Sequence, residues 1–200
     1  MALSISAIPL HTGGMKVFLR YYVELPFPVQ RINDVIARLP GEWLDRAAGD
    51  ADVRGLLMLG TPASGTEPDL TPANLCVSLS APQAEGTLVR RGLEWLAVRG
   101  DASQPVLRGD LELAELGPSR TQLALSAQYR PLIAGQQTPD RAAAQRVGES
   151  TLKAFVDRLA EYVELILGGI PATAVSPAEH WPTAEHRRRS RFGRGWLAAS

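Results

Sequence analysis

One stretch near the end of the chain constrains the fold more than any other. From Asp140 to Leu167 no proline occurs, and Leu152, Phe155, Val156, Leu159, Tyr162, Val163 and Ile166 recur at three- and four-residue spacing. That is the apolar stripe of one long amphipathic helix. Asp140 is placed to cap its start, and Gly168-Gly169 followed by Pro171 is a stop signal. At ~1.5 Å per residue the helix is ~40 Å long. A stripe of that length must be covered, and most of what precedes it reads as strands.

Residues 16–25, KVFLRYYVEL, alternate with period two, as a half-buried strand does, and Pro26 and Pro28 end the run. LCVSLSA at 75–81, TLVRRGLEWLAV at 87–98, VLRGDLELAEL at 106–116 and TQLALSAQY at 121–129 follow the same pattern. Gly92 is a candidate bend within the second of these. The last three are joined by short connections, which implies an antiparallel meander. VRGLLMLG at 53–60 adds a sixth candidate strand. Between the first two strand patterns, Val29, Ile32, Val35, Ile36 and Leu39 mark a short helix over about 28–39. A second short helix runs from Glu42 to Ala48. TPASGTEPDLTP at 61–72 and residues 130–139 are loops.

An antiparallel sheet with one apolar face needs a cover, and the terminal helix is the one element long enough to supply it. The expected fold is therefore α+β: a curved antiparallel sheet of six to seven strands wrapped around a long C-terminal helix, with two short helices after the first strand. Residues 1–15 form an N-terminal extension, 16–169 the domain and 170–200 a flexible tail. Met15 follows Gly13-Gly14 and opens the first strand pattern, so it is an alternative start of the chain.

The 21 basic and 21 acidic side chains cancel, so the chain as a whole is not a polyelectrolyte for nucleic acid, and no sequence-specific nucleic-acid binding is expected. Of the basic residues 19 are Arg, and with abundant Ala, Gly and Pro this bias is that of a high-GC bacterial genome. The single cysteine excludes an intrachain disulfide and a cysteine-cluster metal site. Cys76, between Leu75 and Val77, reads as a buried structural thiol. Residues 1–14 carry no Lys or Arg, and no run reaches the ~20 apolar residues of a membrane span, so the expected location is the cytoplasm.

The chain resembles the helix-grip superfamily of START, birch-pollen-allergen-like and polyketide-cyclase-like proteins, often called SRPBCC. The residues that carry the likeness are the opening strand running into LPFPVQRINDVI, the Leu-x-Trp strand LVRRGLEWLAV, the hairpin VLRGDLELAELGPSRTQLALSAQYRP and the helix DRAAAQRVGESTLKAFVDRLAEYV. The hairpin and helix are similar to those of actinobacterial members. None of these segments is a catalytic signature. The resemblance implies a cavity between sheet and helix that takes an apolar or amphipathic small molecule, such as a lipid or a polyketide-like compound. Two other readings fit the same fold: a polyketide cyclase/aromatase-type enzyme, and a protein-interaction module with a collapsed cavity.

The inward faces of the strands and of the long helix place Tyr21, Trp95, Leu111, Leu125, Tyr129, Phe155, Leu159 and Tyr162 in the interior. Each alone is explained by core packing. As a group they have the composition of a ligand pocket, mostly apolar with a few polar handles. Tyr129 and Tyr162 carry hydroxyls that need partners if buried. Strict alternation also puts Arg91 on the face of Trp95, where it would anchor an anionic group; a bulge at Gly92 would reverse that. Glu94 falls on the opposite face, as a surface carboxylate. His11, His180 and His186 all lie outside the domain, so no catalytic residue, metal or cofactor is expected. In the tail, Arg187, Arg188, Arg189, Arg191 and Arg194 surround Phe192 and precede Trp196. Clustered arginines with aromatics suit weak contact with an anionic membrane.

Overall fold

The structure is a computed structural model that describes residues 15–59, 74–99, 102–131, 140–169 and 194–196. The elements run β1 (Val17–Leu25), α1 (Val29–Ala37), α2 (Gly41–Leu56) with a 3-10 turn (Leu57–Leu59), β2 (Leu75–Leu79), β3 (Gln83–Glu85), β4 (Leu88–Arg99), β5 (Ala102–Gly117), β6 (Arg120–Tyr129), α3 (Arg141–Leu167) and β7 (Arg194–Trp196). The strands form one antiparallel sheet in the order β2-β4-β5-β6-β1-β7, with β3 also paired to β4. α3 packs along one face of this sheet, chiefly against β1, with α2 beside it. This is the helix-grip arrangement expected from the sequence.

Sequence explains most of this locally. β1 alternates strictly, burying Val17, Leu19, Tyr21, Val23 and Leu25. α3 starts where Asp140 caps it: the Asp140 carboxylate accepts the Ala143 N–H at 2.6 Å. Gly169, at φ +87, follows the helix end in the conformation that favours glycine. The outer face of the sheet is polar. Glu112 takes Arg20 and Arg90, Glu94 takes Arg108, and Glu24 takes Arg120.

Two close approaches depend on glycine. A Cβ at Gly148 would lie 2.5 Å from Leu19 Cδ1 and 3.0 Å from Tyr129 Cδ1, so α3 rests directly on β1 and β6. A Cβ at Gly109 would lie 2.1 Å from the Ser126 carbonyl oxygen and 2.6 Å from Ala127 Cα, so β6 backbone fills the space a side chain would need. The exposed edge of β2 is covered by α2: the Asp45 carboxylate accepts the Val77 N–H at 2.6 Å.

Four expectations are corrected. Residues 53–59 are not a strand; they are the end of α2 and its 3-10 turn. The buried face of α2 is Leu44, Ala47, Ala48, Ala51, Asp52 and Gly55, too small-sided to announce itself, while the conspicuous Leu57 and Met58 are more than half exposed. Cys76 is exposed, because alternation turns Leu75 and Val77 inward and leaves the thiol outside. The irregularity in β4 lies between Trp95 and Leu96, not at Gly92. Finally, the tail does reach the sheet: residues 194–196 pair with Tyr21, Tyr22 and Val23 on the outer edge of β1. Residues 187–191, and with them most of the arginine cluster, lie outside the described residues, as do His11, His180 and His186. Among the described residues, no helix is long and apolar enough to cross a membrane.

Candidate functional site

The register of the sheet arranges its inward side chains in rows. Arg91 stands opposite Leu111, Leu111 opposite Leu125 and Leu125 opposite Tyr21. Two residues along lies the row Leu93, Gly109, Ala127, Leu19, and two further Trp95, Leu107, Tyr129, Val17. Six of the nine candidate residues thus fall in the two outer rows, separated by four residues of strand, or ~13 Å. The middle row is small at its centre, where Gly109 and Ala127 stand side by side.

α3 closes over these rows. Phe155 meets Trp95 edge-on, with ring centroids 4.9 Å apart at 67°. Such a pair contributes ~0.5–1.5 kcal/mol beyond its buried area. Leu159, one turn on, is fully buried. Tyr162 goes elsewhere: half-buried, it packs against Trp43 of α2 with centroids 4.7 Å apart. The structure therefore brings eight of the nine candidates to the sheet–helix interior and places Tyr162 at the helix–helix contact.

The polar groups of this interior differ in how they are satisfied. The Tyr129 hydroxyl donates to Asp52 Oδ1 at 2.6 Å, and Thr151 Oγ1 lies 3.5 Å from it. Asp52 is 1 % exposed, and no pattern in the sequence marks it as an interior group. It sits one residue after Ala51 on the small-sided face of α2, and a carboxylate there reads as solvated. Burial raises its pKa above the ordinary aspartate value, with the Tyr129 hydrogen bond opposing. Burial, with the Asp52 charge adding to it, holds the Tyr129 hydroxyl well above the ordinary tyrosine range. Tyr21 donates to Asp157 at 3.0 Å and accepts from Lys153 Nζ at 3.1 Å, and Lys153 and Asp157 pair at 2.6 Å. Burial is the main cause that raises the Tyr21 pKa.

A prediction follows from Asp52. Its folded-state pKa is raised, so its contribution to stability is fully present below the unfolded value and is lost as pH rises through the folded one. Asp52→Asn keeps an acceptor for Tyr129 and removes the titration. Urea unfolding across the range above pH 3.8 should show wild type losing stability relative to this variant as pH rises. A pH-independent difference between the two proteins would refute it. Asp52→Ala strands the Tyr129 hydroxyl and should cost ~1–3 kcal/mol.

Trp95 is the exception. Its side chain is 0 % exposed, and its indole N–H has no hydrogen-bond partner among the described residues. Leaving a buried donor unpaired costs ~1–3 kcal/mol, and buried indoles normally find a partner. Arg91 does share its face, as alternation requires. It is 7 % exposed, donating through Nε and Nη2 to Asn33 Oδ1 at 3.1 and 3.0 Å and through Nη1 to the Ser80 carbonyl at 3.1 Å. Burial lowers its pKa from the ordinary arginine value. Among the described residues, no group of three or more His, Cys, Asp and Glu is placed to hold a metal.

No protein-family profile and no curated protein matches the chain. Solved structures do align with it. A Thermus thermophilus protein is 16 % identical over 75 % of this chain and 99 % of its own, with a TM-score of 0.38. An aromatase/cyclase from Streptomyces sp. R1128 is 16 % identical over 76 % of this chain and 96 % of its own, at 0.37. A Helicobacter pylori protein is 11 % identical over 82 % of this chain and 99 % of its own, at 0.40. At such low identity and TM-score the likeness says nothing about the chemistry of the interior, which rests on this chain's own residues.

Proposed function

We propose that this helix-grip domain reversibly binds an amphipathic small molecule, lipid-like or polyketide-like, between its sheet and α3. The observation that carries the reading is the unpartnered indole N–H of Trp95 in a fully enclosed position. A ligand that offers one hydrogen-bond acceptor to that N–H, and an apolar body to Leu107, Leu111, Leu125 and Phe155, satisfies the donor without exposing it. The two tyrosines that could polarise a substrate carbonyl, Tyr21 and Tyr129, donate their hydroxyls to Asp157 and Asp52. That favours binding over cyclase chemistry as the leading reading.

A long-chain methyl ketone tests it. Its carbonyl can reach the indole, and the alkane of equal length cannot. The ketone is expected to raise the melting temperature saturably, as a native-state binder must, and to bind at least tenfold more tightly than the alkane. Because Trp95 is enclosed, entry requires local opening and association will be slow. Absence of any thermal shift, or equal shifts with both compounds, contradicts the proposal.

A further inference from the structure

On the outer face of the sheet Arg20, Arg90, Arg108 and Arg120 each pair with a glutamate. Arg91 faces the other way and is treated differently. More than nine-tenths buried, it is held by two neutral acceptors, an amide oxygen and a backbone carbonyl, and among the described residues no carboxylate neutralises it. Buried charges are ordinarily paired, because an isolated one is costly. A guanidinium has five N–H donors. Three are engaged here, and two remain. The side chain is pre-organised as well: Asn33 fixes one side of the fork from α1, and the Ser80 carbonyl fixes another from the end of β2.

We infer that Arg91 is the anchor for an acidic group on the ligand, and that the ligand is a carboxylic acid. A planar carboxylate matches the planar fork and can accept from both remaining N–H groups, a bidentate fit that a lysine ammonium, as a point charge, would not offer. The inference rests on the proposed interior binding and specifies its substrate class. The acid group sits at the Arg91 row and the apolar body extends toward Trp95, four residues of strand or ~13 Å away. An oxygenated acyl chain, with a carbonyl or hydroxyl part-way along, would use both polar groups. The alternative anchor within the fold is Arg130, also buried, whose Nη2 donates to the Pro105 carbonyl at 2.8 Å. It lies beyond the Trp95 row, at the other end of the site.

The test uses the intact protein with dodecanoate and its methyl ester, two probes that differ in charge at one end. Affinities at pH 8 are read by calorimetry. The acid should bind at least tenfold more tightly than the ester to wild type. That preference should disappear in Arg91→Gln and persist in Arg130→Gln. Arg91→Lys, which keeps the charge but loses the fork, should retain only part of it. The wild-type comparison needs no variant, so a failure of Arg91→Gln to fold leaves the inference open to refutation. Equal binding of acid and ester overturns the carboxylate anchor while sparing the interior site. Loss of the preference in Arg130→Gln but not in Arg91→Gln also overturns it. If neither probe binds, the carboxylate anchor falls, and the interior site stands or falls separately on the methyl ketone titration.

Discussion

Gly109→Ala should destabilise the domain by about 3 kcal/mol or more, at or above the upper end of ordinary overpacking. The added methyl would fall 2.1 Å from the Ser126 carbonyl oxygen and 2.6 Å from both Ala127 Cα and Ala127 Cβ. Most of these atoms are backbone of β6, so no side-chain rotation relieves the clash. The strands would have to separate at the centre of the sheet, where Gly109 pairs with Ala127 on one side and Leu93 on the other. In a chain of this size the change corresponds to roughly 2–4 °C of melting temperature per kcal/mol. Gly92→Ala is the control. Its Cβ would meet only Ser80, at 3.4 Å and beyond, and should shift stability by no more than ~0.5 kcal/mol. Equal tolerance at both positions in chemical denaturation would show that β5 and β6 do not approach as described.

The second large effect is on binding. Trp95→Phe keeps an aromatic ring against Phe155 and deletes the unpartnered donor. In the free protein two changes oppose each other: the desolvation cost of the N–H, ~1–3 kcal/mol, disappears, and packing around the smaller ring is lost. Stability should therefore change little. Affinity for the methyl ketone should fall tenfold or more, because the ligand carbonyl is now buried without a partner. If Trp95 were ordinary core, the same substitution would simply cost the packing energy and leave no binding to lose. A stability loss of 3 kcal/mol or more, with ketone binding unaltered, would assign Trp95 to packing alone.

How much of this was legible in the sequence follows from which signals are local. α3 was readable because its stripe of large apolar residues is long and its ends carry an Asp cap and a glycine stop. The long strands were readable because one face is buried and period two results. What failed has the opposite character. α2 hides its buried face in Ala and Gly, so the adjacent Leu56–Leu59 run dominates the local pattern and mimics a strand. β3 is exposed on both faces and has no period to detect. β7 is three residues whose place is set by pairing with β1, a long-range contact invisible in a local window. Within the site, alternation placed Tyr21, Arg91, Trp95, Leu111, Leu125 and Tyr129 on one face. Which polar groups find partners was not legible. That depends on Asp52, Asn33, Ser80 and Asp157 arriving from other elements. Tyr162 was misplaced for the same reason: helical spacing puts it on the apolar stripe, but the stripe is broad enough to serve α2 as well as the sheet.

The central claim is that the Trp95 indole N–H donates to a ligand in the interior. Its most direct test is the indole N–H resonance of 15N-labelled protein, assigned by its absence in Trp95→Phe and followed during titration with the methyl ketone. The account predicts a saturable downfield shift of that one resonance, with slowed solvent exchange, while the indole of Trp43 at the α2–α3 contact stays in place. A Trp95 resonance that does not move at ketone concentrations that saturate the thermal shift would contradict it.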